Sequence, residues 1–284
     1  MSFLVQWTLR SSIPLILAAL AGVVSERAGV VNLALEGLLL FGAFAAMIGA
    51  TAGSLGLGIV FALAAGALVG WVLAVMAIRY KTDQIVTGFA FNVLAVGLTN
   101  FLLYVKFGDV SYSPHTATLP WQGFCTVAVV LVGLVHLVLY YTPLGLRIRA
   151  VGEHPRAADT LGVNVYHIRY LCVVVSGMLA ALGGAYMSVS ANPCFQKEMV
   201  SGRGYIALAA MIFGKWTPLG AMGAALFFGF SEALELALQG RTSIPSEFFH
   251  ALPYLLTLVA LVGLIGKAKA PAADGVPYDP SKGR

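Results

Sequence analysis

The chain has 284 residues, of which 59% are hydrophobic and only 10% are charged, and its mean hydropathy is +0.88. About a quarter of the residues of a soluble domain are charged, so this composition excludes a soluble globular protein and predicts a polytopic membrane protein. The formal net charge is +5, but the basic residues are scattered among loops without interleaved aromatic residues. This pattern argues against nucleic acid as a partner.

Apolar segments separated by polar residues predict an all-α fold with about eight transmembrane segments, some of them broken helices. The first, between Arg10 and Glu26, has 15 uncharged residues. As a helix these would cover about 22 Å of a hydrocarbon core roughly 30 Å thick. This helix must therefore begin earlier, near Phe3, or continue past Glu26 in broken form. The other segments are residues 30–50, 55–78, 85–105, 124–141, 171–190, the pair 205–213 and 219–238, and 248–265.

We expect one transmembrane domain, residues 1–266, followed by a disordered Pro/Gly/Lys-rich tail, residues 267–284. Residues 25–44 and 204–229 are both glycine-interrupted hydrophobic stretches. Corresponding interruptions in two halves of a membrane protein indicate an inverted repeat with the transport pathway at the breaks. The sequence therefore predicts such a repeat.

The polar segment 142–170 carries four arginines and the signals of a short helix. His154 is the predicted N-cap, Pro155 takes the first helical position, and Gly162 supplies a left-handed stop. A helix of about two turns is unstable alone in water, so we expect it to dock against other parts of the protein. Its predicted close-packing face consists of Ala157, Ala158 and Leu161.

The run GLRIRAVGEHPRAADTLGVNV, followed by SGMLAALGGAY, resembles the cytoplasmic coupling loop and next span of bacterial ABC importer permeases. The family is that of the branched-chain amino acid, ribose and nucleoside permeases, and the resemblance extends from about Ser11 to Gly266. It implies that the loop docks on a cytoplasmic ABC ATPase and that residues 152–162 transmit ATP-driven closure. We expect Gly152→Pro or Ala158→Glu to uncouple ATP hydrolysis from uptake. The predicted coupling residues are Arg149, Gly152, Glu153, Pro155, Ala157, Ala158 and Gly162.

The run VSERAGVVNLALEGLLLFGAFAA most resembles the smaller permease of nucleoside systems of the basic membrane protein type. That resemblance implies a heterodimer with a second, larger permease, an extracytoplasmic solute-binding protein and a nucleoside as the solute. A pentose such as ribose or a branched-chain amino acid is the alternative solute. A secondary transporter that works alone is a further alternative, although such carriers usually bury several ionisable groups, and here only Glu36 is deep in an apolar segment.

The Lys and Arg residues predict the orientation in a bacterial inner membrane. If the segment 142–170 is cytoplasmic and successive loops alternate, 12 of the 17 basic residues face the cytoplasm, which is the expected excess. The N-terminus then lies outside and the C-terminus inside. This count treats the GKWTP interruption, residues 214–218, as a dip near the cytoplasmic face; a single broken span there would reverse the C-terminus.

Polar residues within apolar segments are the candidate pathway residues. Asn32 and Glu36 are four apart, which would place them on one helix face. Such groups face a bundle interior or a watery cavity, so they either line the pathway or lock helix packing. Asn92 is the centre of a polar stripe on the fourth span and could equally serve interhelical hydrogen bonding. The stripe consists of Gly88, Asn92 and Thr99, and the ring of the neighbouring Phe91 could stack on a solute.

Catalytic motifs are absent from the sequence. The five histidines are dispersed without a metal-binding or nucleophile pattern, and there is no GxxxxGK[ST] phosphate-binding loop. The three cysteines have no metal spacing. We therefore expect no catalytic centre, no metal and no cofactor in this chain. An intramembrane enzyme is the remaining alternative, and it would need a nucleophile–base or metal constellation that the dispersed His, Ser and Cys residues do not supply. ATP, if it drives transport, must be bound by a separate ATPase chain.

Overall fold

The computed structural model describes residues 3–108, 111–238 and 269–280. In this part of the chain seven helices are long and apolar enough to cross a membrane, and three are shorter. The long ones are α1 (Phe3–Glu26), α2 (Leu35–Ala52), α3 (Leu55–Arg79), α4 (Gln84–Phe107), α5 (Trp121–Tyr141), α8 (Val165–Ala191) and α10 (Pro218–Leu238). The shorter ones are α6 (Pro143–Glu153), α7 (Pro155–Thr160) and α9 (Arg203–Phe213).

The predicted all-α, multi-span architecture is confirmed. Helix α1 begins at Phe3 and has 24 residues, so it is about 36 Å long and can cross the hydrocarbon core unbroken. The last predicted span, residues 248–265, lies outside the described residues.

Helices α1 and α8 form the centre of the bundle, and α2, α3 and α10 pack around them. Small residues make this packing close. Gly66 and Gly177 face each other, and a Cβ on either would collide with the other's backbone carbonyl oxygen. A Cβ on Gly184 would likewise collide with the carbonyl oxygen of Leu39. Helices in lipid gain little from the hydrophobic effect, so this close approach of backbones is a main source of their association.

Helices α3, α4 and α5 lie at the periphery and expose most of their apolar side chains. Trp71, Phe101 and Tyr104 are among the large exposed residues. Contiguous apolar surface of this extent indicates contact with lipid or with another subunit. These three helices therefore form the side of the bundle that faces lipid or another subunit.

The bundle has two chemically different ends. At one, which we call the α7 end, Gly152 packs against the backbone carbonyl oxygen of Arg27, and Arg27 Nε donates to the carbonyl of Trp216 at 2.7 Å. At the opposite end the guanidinium of Arg10 lies over the ring of Trp121, 5.3 Å from its centroid. Helices α1 and α5 each connect one end to the other.

Residues 143–153 form helix α6 rather than the loop that we predicted. The Thr142 side chain accepts a hydrogen bond from the Gly145 amide at 3.2 Å, and Pro143 occupies the first turn. Ile148 and Val151 are buried. The apolar positions in this arginine-rich stretch are three apart, which is sufficient for an amphipathic helix.

The prediction of a disordered tail is wrong for residues 269–280, which pack on the α7 end. The Ala273 amide donates to the Gly152 carbonyl at 2.9 Å, and the side chains of Ala273 and Tyr278 are buried. Lys81 Nζ forms an ion pair with Asp279 at 2.7 Å. Backbone groups of Ala272, Ala273 and Val276 add hydrogen bonds to the rest of the protein, so the segment is docked by more than its few apolar side chains.

Candidate functional site

The centre of the candidate pathway is the N-terminus of the half-helix α9. This helix has 11 residues, so it covers about 16 Å, half of a hydrocarbon core. It ends at Phe213, next to the α7 end, and its first residue therefore lies about halfway across the membrane. Two non-helical segments, residues 27–34 and 192–202, reach this level from the α7 end and from the opposite end respectively.

Glu36, in the first turn of α2 directly after residues 27–34, bonds the place where residues 192–202 meet α9. One carboxylate oxygen accepts from the Gly202 amide at 2.7 Å and the other from the Gly204 amide at 2.6 Å. Free amides and the positive end of the helix dipole attract an anion at a helix N-terminus. The carboxylate therefore caps α9, which accounts for a charged group at this depth.

Asn92 holds the same region together from α4. Its Oδ1 accepts from the Gly37 amide at 2.8 Å, in the first turn of α2. Its Nδ2 donates to the Leu33 carbonyl at 2.9 Å and to the Tyr205 hydroxyl at 3.1 Å. One amide side chain thus bonds α2, the segment before it and α9.

A cavity of about 390 Å³ opens beside these groups. The rings of Phe89 and Tyr205 are its aromatic walls, and both are substantially exposed, at 55% and 43%. Glu36 and Asn92 lie at its base. The remaining lining residues are Gly37, Leu40, Val93, Val96, Lys197, Glu198, Val200 and Ser201.

The rim of the cavity has an unusual backbone. Glu198 and Ser201 have positive φ values of 55° and 49°, in the left-handed region that residues other than glycine rarely adopt. Both the Ser201 amide and the Ser201 hydroxyl donate to the Glu198 carbonyl at 3.1 Å. Residues held in such conformations concentrate at functional sites.

Asn32 does not share a helix face with Glu36, contrary to our expectation, because α2 begins only at Leu35. Asn32 is buried, and its Nδ2 donates to the Ser176 hydroxyl at 2.9 Å. It ties the non-helical segment to α8 and does not line the cavity.

The polar stripe on α4 is buried, and its first half packs against the start of α2 and the segment before it. A Cβ on Gly88 would lie 2.8 Å from the Cβ of Leu33, and the Thr99 hydroxyl donates to the carbonyl of Ala95 within its own helix at 2.7 Å. Only Asn92 in this stripe borders the cavity. Phe91, the neighbouring ring that could have stacked on a solute, is half-buried against the core, and Phe89 lines the cavity instead.

Helix α7 is docked by one small face, as its two-turn length requires. Gly162 has φ +81° and ends the helix as predicted, but the His154 side chain does not cap it. Ala158 is buried, whereas Ala157 is exposed and Leu161 is 84% exposed. The predicted close-packing face is thus wrong for Ala157 and Leu161, which face outward.

The other predicted coupling residues lie in α6 and at the start of α7. Gly152 packs on Arg27, and Pro155 occupies the first turn of α7. The Arg149 guanidinium lies over the ring of Tyr140, 5.1 Å from its centroid. Glu153 accepts from the Ala272 amide at 3.2 Å.

A buried contact connects the α7 end to the break before α10. The Trp216 indole donates to a Glu26 carboxyl oxygen at 2.6 Å. Lys215 and Trp216 both have positive φ, 55° and 53°. The tail adds Asp274, which hydrogen-bonds to the Glu26 carboxyl; burial raises the pKa of Asp274 to about 6, although Arg169 opposes this rise.

Comparison with known proteins identifies this architecture. Residues 4–261 match the family described as the permease component of the branched-chain amino acid transport system. The chain belongs to this permease family. The resemblance predicted from the two sequence runs is therefore confirmed.

The permease is similar over nearly its full length to proteins named for nucleosides. It is 43% identical to the guanosine ABC transporter permease protein NupQ of Bacillus subtilis, with 98% of this chain and 97% of NupQ aligned. It is 40% identical to the nucleoside ABC transporter permease protein NupC of Lactococcus lactis, with 95% of each aligned. A second Bacillus subtilis protein, the guanosine ABC transporter permease protein NupP, is 24% identical, with 94% of this chain and 85% of NupP aligned.

The permease also has a similar fold to a solved structure, an inward-facing conformation of a metal-chelate type ABC transporter. The TM-score is 0.52 at 18% identity, and 91% of this chain and 86% of that chain are covered. This likeness supports the fold alone.

Sequence reasoning missed several residues of the permease's cavity, namely Phe89, Tyr205 and the rim residues. Tyr205 immediately follows the glycine pair and arginine that begin α9 in GRGY, residues 202–205. That glycine-rich start of a short apolar helix was the available signal, since half-helix N-termini mark binding sites in transporters.

Proposed function

We propose that this permease is the smaller membrane subunit of a bacterial ABC importer for nucleosides. The similarity to NupQ and NupC, at 43% and 40% identity over almost the whole chain, carries this proposal. The partly aromatic cavity at the meeting point of two non-helical segments is compatible with a solute that has an aromatic ring and hydroxyl groups.

Two membrane subunits are expected to form the pathway. NupQ and NupP are both named guanosine permeases of one organism, and this chain is much more similar to NupQ. By analogy, a second, larger permease pairs with this one, and its surface contacts part of the exposed apolar face of α3, α4 and α5. A solute-binding protein then delivers the nucleoside at the end opposite α7.

ATP hydrolysis belongs to a separate cytoplasmic ATPase in this proposal. Helix α7 is the proposed contact because Leu161 at its end is 84% exposed and because Gly152, at the end of the preceding helix α6, packs onto Arg27. From there, the contacts of Glu26 and Arg27 with Trp216 lead to the break before α10. Movement of α7 would thus reach both broken regions.

The test is transport by the reconstituted complex. Proteoliposomes containing this permease, the second permease, the ATPase and the binding protein should accumulate radiolabelled guanosine only with ATP. Omission of the ATPase should abolish uptake. Excess unlabelled uridine or adenosine should compete, whereas ribose and leucine should not. Competition by ribose or leucine alone, or uptake by this chain without ATP, would contradict the proposal and favour the sugar, amino acid or stand-alone carrier alternatives.

A further inference from the structure

The cavity beside Glu36 has the size and lining of a small-molecule site. Its volume of about 390 Å³ lies within the range of about 300–1,000 Å³ that is usual for ligand pockets. Its base is polar but already satisfied, because both Glu36 oxygens and the Asn92 amide are hydrogen-bonded to the protein. A solute in this cavity therefore meets ordered groups that need no rearrangement.

Two aromatic rings form the walls, and one of them is held in place. The Tyr205 hydroxyl accepts from Asn92 Nδ2 at 3.1 Å, which fixes the ring that α9 presents to the cavity. Phe89 comes from α4, and its ring is 55% exposed. Aromatic faces of this kind stack on nucleobases regardless of the base identity, because every base has a π-face.

The rim supplies polar groups of both signs and a hydroxyl. Lys197, Glu198 and Ser201 all line the cavity and are exposed. The positive φ values of Glu198 and Ser201 hold this turn in a conformation that costs on the order of 1–3 kcal/mol per residue. Sugar hydroxyls, which both donate and accept, match such a mixed rim.

We infer that this cavity is the intramembrane binding site of the solute, with Phe89 and Tyr205 stacking on the base and residues 197–201 contacting the ribose. The inference rests on the proposed function, since it takes the solute to be a nucleoside. It adds that the permease recognises the nucleobase of the solute by stacking, whereas Glu36 and Asn92 hold the walls of the cavity in place. The site tolerates different bases and selects against a free sugar, which has no aromatic ring to stack.

The experiment compares single variants in the complete reconstituted importer. Phe89→Leu and Tyr205→Leu remove a ring and keep an apolar side chain, Tyr205→Phe keeps the ring and removes the hydroxyl, and Phe101→Leu is the matched control. Phe101 is on the same helix α4 and is 62% exposed, but it does not line the cavity. The measurements are KM and maximal rate of guanosine uptake and co-purification of the second permease.

We expect Phe89→Leu and Tyr205→Leu to lower the ratio of maximal rate to KM about tenfold each, as loss of one base–aromatic stack predicts. Tyr205→Phe should lower it about twofold, and Phe101→Leu should leave it unchanged, with assembly intact in all four. If both leucine variants transport like Phe101→Leu, the inference fails while the proposed function stands. If they lose the second permease instead, the rings belong to a subunit interface and the inference also fails. Absence of guanosine uptake by the unaltered complex would contradict the proposed function itself.

Discussion

At the scale of single residues, Glu36 shows why a charge can be retained inside an apolar bundle. An isolated carboxylate there would be very costly unless it is hydrogen-bonded. Its two oxygens accept from two amides at the start of α9, amides that no helical carbonyl can satisfy. The two amides stabilise the buried carboxylate, and the carboxylate supplies the acceptors that the first amides of α9 lack. The Glu36 side chain therefore stabilises the start of α9 at this position.

Glu36→Ala should destabilise the protein, because it leaves the Gly202 and Gly204 amides without acceptors. Each unsatisfied buried group costs about 1–3 kcal/mol, so a loss of roughly 2–6 kcal/mol is expected. Glu36→Gln keeps one acceptor and should fall in between. The measurement is the apparent Tm of the detergent-solubilised protein, read by size-exclusion chromatography after heating.

The control for this series is Glu153→Gln, because Glu153 makes one exposed hydrogen bond to the tail at 3.2 Å. Its Tm should match that of the unaltered protein. A Glu36→Ala variant as stable as the control would show that the cap contributes nothing.

At the scale of elements, α7 combines a buried and an exposed side within two turns. Ala158 is buried, and Gly152, just before α7, has no room for a side chain against Arg27. The substitutions that the sequence suggested, Gly152→Pro and Ala158→Glu, would therefore disturb packing as well as docking. Ala157 and Leu161 are exposed, so they isolate the docking surface.

Leu161→Glu and Ala157→Glu should each reduce ATPase activity stimulated by loaded binding protein at least fivefold in the reconstituted importer. The introduced carboxylate would be buried where the ATPase contacts α7, which is costly. In the isolated permease the same carboxylate faces water, so folding should be unchanged. Insertion and Tm should remain normal. Ala117→Glu, an exposed position at the opposite end, is the matched control for co-purification of the ATPase, which it should leave unchanged while the α7 variants weaken it. Full stimulation of ATPase activity in both α7 variants would show that α7 does not contact the ATPase.

At the scale of the whole molecule, basic residues collect at the end that bears α7. In the described part of the chain these are Arg27, Arg79, Lys81, Arg147, Arg149, Arg156, Arg169, Lys215 and Lys269. The GKWTP break lies at this end too, since Arg27 bonds the carbonyls of Lys215 and Trp216. The excess of basic residues predicts that this end faces the cytoplasm.

Cysteine labelling in intact cells tests that orientation. In a background with Cys125, Cys172 and Cys194 replaced, Leu161→Cys should react with a membrane-impermeant maleimide only after permeabilisation. Ala117→Cys, at the opposite end, should react in intact cells. The reverse pattern would overturn both the topology and the assignment of α7 to the ATPase.

The structure also shows which non-helical segments contact each other. The sequence matched residues 25–44 with 204–229, but the break at 27–34 meets residues 192–202, which enter from the opposite end. Segments that enter from opposite ends and meet midway are what an inverted repeat would produce. The repeat itself stays a prediction.

The sequence by itself determined the membrane class, the spans within the described residues, the end of α7 at Gly162 and the family, because hydropathy, backbone conformation and motif runs are local properties. Tertiary structure decided the cavity. Helix α2 starts at Leu35, so Asn32 and Glu36 do not share a helix. Residues two apart on α4 point about 200° apart, so Phe89 faces the cavity and Phe91 faces the core. The partners of Glu36 lie 166 and 168 residues away, and no local pattern specifies a contact across that distance.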